Sequence, residues 1–212
     1  MSVVQNPIIG RAKGKYSSTI FGKWKSKNII RTKPISFNTS YVTPLVNQRK
    51  KFTACLALAR QLTASLRMTF KKVAVDITQF NYFMSKNINL FDTVTDFVNI
   101  SAAQSLVFSG GSLAHVAGAA AVAVPNTGAS LSWDHTVDAN SHALTEKVGA
   151  AVLNFSERKA YIMLDIALYT DDSATVDFPV VPDASALIFV FCHTDDFTNF
   201  SNSQYVDTLY FV

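Results

Sequence analysis

The chain has 212 residues, of which 49% are hydrophobic and 16% charged, so it is expected to fold around a core and not to be largely disordered. Its charges are segregated: positions 1–72 hold fifteen Lys and Arg and no carboxylate, whereas positions 73–212 hold four basic and all fifteen acidic residues. The two parts carry +15 and 4 − 15 = −11, which sum to the net charge of +4. Such segregation predicts an oppositely charged partner, either a nucleic acid or the acidic part of another copy.

We expect no export signal, membrane span or disulfide framework. The start MSVVQNPIIGRAKGK lacks the apolar core that a secretion signal needs. The most apolar window, 113–124, is about a dozen residues long, whereas a helix needs roughly twenty to cross a bilayer. Cys55 and Cys192 lie far apart in dissimilar contexts, which predicts two buried thiols.

Residues 1–43 are predicted to form an extended basic arm. Prolines and glycines interrupt short apolar pieces there, and no helical or sustained strand periodicity appears; these residues are Pro7, Gly10, Gly14, Gly22 and Pro34. The stretches 18–24 and 28–31 have the composition of strands that would pair with another molecule. An arm of this kind usually lies on a partner.

A helical segment is expected over residues 44–100. Thr43 followed by Pro44 predicts a helix start, because a hydroxyl can cap the helix and proline suits its first position. From there to about Lys72, apolar residues recur at helical spacings, namely Leu45, Phe52, Leu56, Ala59, Leu66 and Phe70. A second helix is predicted over 76–87.

The fold class we predict is mainly β with α, in which residues 101–212 form an Ig-like or fibronectin-like antiparallel β-sandwich. Short apolar runs separated by turn residues are typical of such a domain. The predicted strands are 105–109, 118–124, 129–134, 147–155, 159–166, 174–180, 186–193 and 204–211.

The four histidines show no catalytic or metal-binding pattern in the sequence. His193, before Asp195 and Asp196, is predicted to belong to a polar loop, and His135 and His142 are predicted to be solvated. Trp133 is expected in the core. We therefore predict that the protein is not an enzyme and has no catalytic residue, cofactor or metal.

Aromatic residues alternate with the cations of the N-terminal part. They are Tyr16, Phe21, Trp24, Phe37 and Tyr41. In proteins that bind single-stranded nucleic acid, bases stack on aromatic side chains of this kind. The same residues could instead fill pockets on a neighbouring protein. The sequence leaves both alternatives open.

Several segments carry a family resemblance. NPIIGRAKGKYSSTIFGKWKSKNIIRTKP, followed by Thr43, Pro44 and NQRKKF, resembles a family encoded in Bacteroidetes genomes and their phages, including crAss-like phages. SLSWD (130–134), KVGAAVLNF (147–155), ALIFVF (186–191) and the ending SNSQYVDTLYFV resemble the C-terminal sandwich of that family. The family's arm is richer in glycine around Gly14 than this chain. The resemblance implies a virion component and carries over no catalytic residue.

The expected function is that of a non-enzymatic structural virion protein of a tailed bacteriophage, made in the host bacterial cytoplasm. The basic arm would assemble a homo-oligomer, with neighbouring virion proteins, into a collar or tail ring or a capsid-associated layer. Its apolar contacts would come from Ile20, Phe21, Trp24, Ile29 and Ile30, and its electrostatic contacts from Lys13, Lys15, Lys23, Lys25, Lys27, Arg31 and Lys33. Two alternatives remain, a nucleic-acid-binding virion protein that contacts the genome and a surface sandwich that binds a receptor or glycan. No membrane partner is expected.

Overall fold

The computed structural model describes residues 2–4, 14–24, 27–33, 42–93, 97–136, 142–180, 182 and 184–211. The chain divides into two compact units, residues 1–45 and 46–212. The described residues form three antiparallel sheets and four helices, so the fold is mainly β with α, as predicted.

The smaller unit contains a four-stranded antiparallel sheet. Its strands are β1 (Ser2–Val4), β2 (Gly14–Tyr16), β3 (Thr19–Trp24) and β4 (Lys27–Thr32), in the order β1-β4-β3-β2. Ser17 has a left-handed φ of 51° at the turn between β2 and β3, so the chain reverses within two residues. The outer strands, β1 and β2, are short.

This sheet corrects the expectation that the two N-terminal strands pair only with another molecule. β3 and β4 pair with each other from Thr19 opposite Thr32 to Trp24 opposite Lys27. Gly22, which suggested an interruption, lies inside β3, and a Cβ added there would meet no atom within 4 Å. A glycine in open space weakens a strand without breaking it.

The predicted long helix is divided in two. Its parts are α1 (Thr43–Gln61) and α2 (Thr63–Thr69), and two further helices are α3 (Gln79–Asn87) and α4 (Ile100–Ala103). The hydroxyl of Thr63 donates to the main-chain oxygens of Ala59 and Arg60, at 3.2 and 3.0 Å. Such bonds compete with the helix ladder and bend helices, which accounts for the break at Leu62.

The larger unit contains two antiparallel sheets. One has the strand order β5-β6-β9 and consists of β5 (Ala120–Val124), β6 (Gly128–Ser132) and β9 (Ser173–Asp177). The other has the order β11-β10-β7-β8 and consists of β7 (Lys147–Asn154), β8 (Lys159–Leu168), β10 (Ser185–His193) and β11 (Gln204–Tyr210). Seven of the eight predicted strands are therefore present.

The four-stranded sheet of this unit is covered on both faces. Residues alternate along β10, so that Leu187 and Phe189 pack in one core with the helices, whereas Ile188 and Val190 pack in a second core with β5, β6 and β9. Both β7 and β10 are consequently almost entirely buried. The helical layer, the four-stranded sheet and the three-stranded sheet thus share two apolar cores.

The predicted strand at 105–109 is wrong, although Leu106 and Phe108 are buried. Side chains there replace a neighbouring strand. Asn87, itself buried, accepts a hydrogen bond from the Val107 N–H and donates one to the Val107 oxygen, both at 2.9 Å. The Phe108 N–H donates to the Ser203 hydroxyl at 2.9 Å. Because these groups satisfy the backbone, no ladder is needed.

Candidate functional site

The structure places part of the predicted assembly arm in the small sheet. Ile20, Phe21, Ile29 and Ile30 are half-buried, whereas the predicted cations Lys15, Arg31 and Lys33 are exposed. The backbones of Lys23, Trp24 and Lys27 lie in β3 and β4. Lys13 and Lys25 lie outside the described residues.

Cross-strand pairing groups these residues into two rows. Lys15 lies opposite Ile20, and Ile20 lies opposite Arg31, so two exposed cations flank one isoleucine on one face. Phe21 lies opposite Ile30 on the other face. Each face therefore presents apolar residues, and the face with Ile20 also presents Lys15 and Arg31. Tyr16, at the end of the outer strand β2, is 78% exposed.

The first half of α1 is also exposed and basic. Phe52, predicted to face the core, is 49% exposed, and Arg49 and Lys50 lie beside it in sequence, both exposed. A shallow cavity of about 460 Å³ lies along this part of the helix, lined by Val46, Arg49, Lys50, Thr53, Ala54 and Ala57. Only from Ala54 onward does α1 bury its apolar side.

An acidic surface lies at one end of the four-stranded sheet of the larger unit. Asp165 and Asp195, with side chains 41% and 69% exposed, both contact the ammonium of Lys147, at 3.1 and 2.6 Å. The hydrogen bonds that Lys147 donates to Asp195 and, second, to Asp165 raise the pKa of Lys147. Asp196 is also exposed, and its carboxylate accepts hydrogen bonds from the hydroxyls of Thr194 and Thr198 at 2.7 and 2.8 Å.

His193, predicted in a polar loop, is instead fully buried at the end of β10. Its Nδ1 lies 2.9 Å from the Thr194 oxygen and must donate there, while Nε2 accepts from the Asp165 N–H at 3.3 Å. Its ring stacks on Phe197 with the centroids 4.9 Å apart. Both nitrogens thus have structural partners, and His193 connects the acidic surface to the core.

A second buried cluster has no counterpart among the sequence predictions. His142, predicted to be solvated, has a side chain only 2% exposed, and its Nδ1 lies 2.6 Å from Oε2 of Glu146. The sulfur of Cys192 lies within 4.8 Å of a ring nitrogen of His142 and of a carboxylate oxygen of Glu146. The other ring nitrogen, Nε2, lies 3.1 Å from the His115 main-chain oxygen. Imidazole, carboxylate and thiol therefore meet in the interior.

Strand register explains why these three residues meet. Glu146 immediately precedes β7, and Cys192 lies opposite Val148 in the pairing of β7 with β10. His142 lies four residues before Glu146, on the short turn that enters β7. The i, i+4 spacing of His142 and Glu146 is the one signal in the sequence; the cysteine is fifty residues away from His142, and only the register brings it near.

The remaining histidine that we predicted to be solvated, His135, is partly exposed and bonded. Its ring Nδ1 lies 2.6 Å from Oδ1 of Asp172, and its main-chain N–H donates to the same oxygen at 3.0 Å. These bonds, the backbone one first, lower the pKa of Asp172. Cys55 and Cys192 are free and buried, as predicted. Burial raises the pKa of each thiol to about 12.

Within the described part of the chain, no helix is long and apolar enough to cross a membrane. Searches of curated proteins and of solved structures gave no significant match. The model of one family, described as "Family of unknown function (DUF6266)", matches residues 11–207, which is 197 of the 212 residues. The chain therefore belongs to the DUF6266 family.

Proposed function

We propose that this protein is a non-enzymatic structural protein of a tailed-phage particle, a homo-oligomer that assembles through its basic N-terminal part. The observation that carries the proposal is the charge segregation, with fifteen cations and no acid in positions 1–72. A second copy offers the complementary surface, because the rest of the chain carries −11. The resemblance of the N-terminal block to phage-encoded sequences supports the virion as the location.

The docking element in this proposal is the small sheet of residues 1–45. The row Lys15, Ile20 and Arg31 combines charge with apolar surface. The occupant is the acidic surface of a second copy, formed by Asp165, Asp195 and Asp196. Apolar groups would supply most of the affinity and charges the steering, since an exposed ion pair contributes at most about 1 kcal/mol.

Such a contact joins two different surfaces. A heterologous contact repeats from copy to copy and closes into a ring when the rotation allows it. A collar or tail ring, or a capsid-associated layer, is therefore the assembly we propose.

For the larger unit we propose an Ig-like or fibronectin-like sandwich. The connections β6 to β7, β8 to β9 and β9 to β10 each pass from one sheet to the other. Crossings of this kind, with two sheets around a shared core, support a Greek-key sandwich. In this role the sandwich is the rigid body that carries the acidic surface.

The test is sedimentation velocity on the full chain and on Lys15→Glu/Arg31→Glu. Reversal of both charges should convert the assembly to monomer, because the N-terminal surface would then repel the acidic one. The control Lys86→Glu, an exposed lysine in α3, should leave the assembly unchanged. Removal of residues 1–43 should also abolish assembly. If the double variant and the truncated chain sediment like wild type, the proposal is wrong.

A nucleic-acid-binding virion protein is the second candidate, and the exposure of Tyr16 next to Lys15 favours it. An exposed ring between cations could stack on a base. The logarithm of the affinity for single-stranded DNA should then fall by about 0.7 per unit of log salt for each phosphate neutralised. A gel-shift titration at two salt concentrations, with Tyr16→Ala beside wild type, distinguishes this candidate from self-assembly.

A further inference from the structure

The hydrogen-bond partners of His142 show which of its two ring nitrogens carries a proton. A carbonyl oxygen can only accept, so Nε2 of His142, 3.1 Å from the His115 oxygen, must carry a proton. In a neutral imidazole the other nitrogen, Nδ1, then holds a lone pair. That lone pair points at a carboxylate oxygen of Glu146 2.6 Å away, which is also an acceptor. Two acceptors this close need a positive charge, either a proton shared along the 2.6 Å line or a metal ion bound to both. A metal ion lies about 2.0–2.2 Å from each ligand atom, so its binding would move the two side chains slightly apart.

The third group distinguishes these two possibilities in chemical terms. A proton shared by His142 and Glu146 would need no further ligand, yet the sulfur of Cys192 lies within 4.8 Å of both donor atoms. Imidazole nitrogen, thiolate sulfur and carboxylate oxygen are the three ligand types of Zn²⁺ sites. We propose that His142, Glu146 and Cys192 bind a divalent metal ion of the Zn²⁺ class.

The surroundings hold the proposed ligands in place. A metal-binding histidine usually donates its other N–H to a carbonyl or carboxylate, which fixes the tautomer; the His115 oxygen has this role here. The Tyr169 ring lies against the His142 ring with the centroids 4.0 Å apart. The Tyr169 N–H donates to the main-chain oxygen of Glu146 at 2.9 Å. The His142 ring and the backbone of Glu146 are thus held in place before an ion arrives.

The cluster lies near the surface, and an ion bound there would have a consequence for the fold. Residues 143–145, between the first two ligands, are exposed, so the cluster lies under one short surface turn. Three protein ligands leave one position of a tetrahedral ion for water. Burial and the nearby Glu146 charge raise the pKa of Cys192, so ion binding would release the thiol proton. The ion would connect the turn before β7 to β10.

Cobalt titration of the metal-free, full-length protein tests the proposal. Co²⁺ bound by a thiolate gives an intense near-ultraviolet sulfur-to-metal absorption, and we expect it to saturate at one equivalent. The absorption should be lost in Cys192→Ser and kept in Cys55→Ser, a matched control because Cys55 is equally buried in the other core. Zn²⁺ should displace the Co²⁺ and raise the Tm of wild type and of Cys55→Ser.

Glu146→Gln decides the outcome if Cys192→Ser fails to fold. Glutamine keeps the shape of the side chain and can donate its amide N–H to Nδ1 of His142, but it is a poor metal ligand. Loss of the Co²⁺ absorption in folded Glu146→Gln supports the site. If wild type binds neither ion at one equivalent, or if Cys55→Ser loses the absorption as well, the proposal is overturned and a proton joins His142 to Glu146.

Discussion

The indole N–H of Trp133 donates to the main-chain oxygen of Tyr169 at 2.7 Å, and this buried bond connects the two sheets of the larger unit. Trp133 follows β6 of the three-stranded sheet, and Tyr169 follows β8 of the four-stranded sheet. Trp133→Phe keeps a ring in the core but removes the donor, so the hydrogen bond between the two sheets is lost. We expect a loss of about 1–2 kcal/mol in the free energy of unfolding, measured by urea denaturation.

The control for Trp133→Phe is Tyr210→Phe, which removes a polar group from a side chain that is 66% exposed. Its free energy of unfolding should stay within about 0.5 kcal/mol of wild type. Equal effects of the two substitutions would show that the bond between the sheets contributes nothing.

Asn87 takes the place of a β-strand for the segment around Val107. Its fully buried side chain donates to the oxygens of Phe83 and Val107 and accepts from the Val107 N–H. Asn87→Ala would leave the main-chain N–H and oxygen of Val107 without their partner side chain. We therefore expect the free energy of unfolding, measured by chemical denaturation, to fall by about 2–4 kcal/mol. Asn81→Ala, at an exposed position of the same helix, is the control and should have little effect. A loss for Asn87→Ala no larger than that of the control would contradict this role.

The contrast between Asn87 and β10 shows how far the sequence could predict the fold. The apolar run at 186–193 predicts a buried strand, because backbone pairing and burial act together there. At 105–109 the run is also apolar, but its partners are the side chains of Asn87 and Ser203, which lie far away in sequence. Apolar periodicity reports burial and says nothing about which groups satisfy the backbone.

For the candidate sites too, the sequence predicts properties that depend on composition but not those that depend on contacts between distant segments. Charge segregation depends only on composition, so the basic part can be recognised from the amino-acid sequence alone. The burial of His142 depends on the pairing of β7 with β10, which no local pattern encodes. The exposure of Phe52 is a third case: helical spacing predicts it on the apolar side, but α1 packs against the core only from Ala54 onward.

Asp172 should make stability depend on pH in the acid range. Its pKa is lowered from 3.8 by the backbone N–H and then the side chain of His135, so the folded state favours the carboxylate. Stability from this group is complete above the unfolded-state pKa and is lost as the pH falls through the lower folded-state pKa. Asp172→Asn should therefore be less stable than wild type at neutral pH, and the gap should close as the pH falls through the lowered folded-state pKa of Asp172.

Thermal unfolding of Asp172→Asn and wild type across the acid-to-neutral pH range measures this gap. Asparagine also tolerates the left-handed φ of 60° at this position, so backbone strain does not confound the comparison. Asp177→Asn removes the same charge from an exposed position in β9 and is the control. A gap that stays constant over the whole range would show that His135 does not stabilise the charge.

Gly149 lies in β7 where the pairing with β8 shifts register, directly opposite Phe191 of β10. A Cβ at this position would lie 2.6 Å from the Phe191 ring and 3.0 Å from the Met163 oxygen. Because Phe191 is fully buried, its ring has no free space to move into. Gly149→Ala should therefore lower the free energy of unfolding by about 1–3 kcal/mol, as overpacking does in other cores.

Two comparisons separate this clash from a general effect of alanine in a strand. Gly22→Ala in β3, where the added Cβ meets no atom within 4 Å, should be neutral or stabilising by up to about 1 kcal/mol. Gly149→Ala/Phe191→Leu removes most of the ring that the methyl group meets, so its loss should be smaller than the sum of the single losses. Urea denaturation of wild type, Gly149→Ala, Phe191→Leu and the double variant measures this coupling. Strict additivity would mean that Phe191 is not what excludes a side chain at position 149.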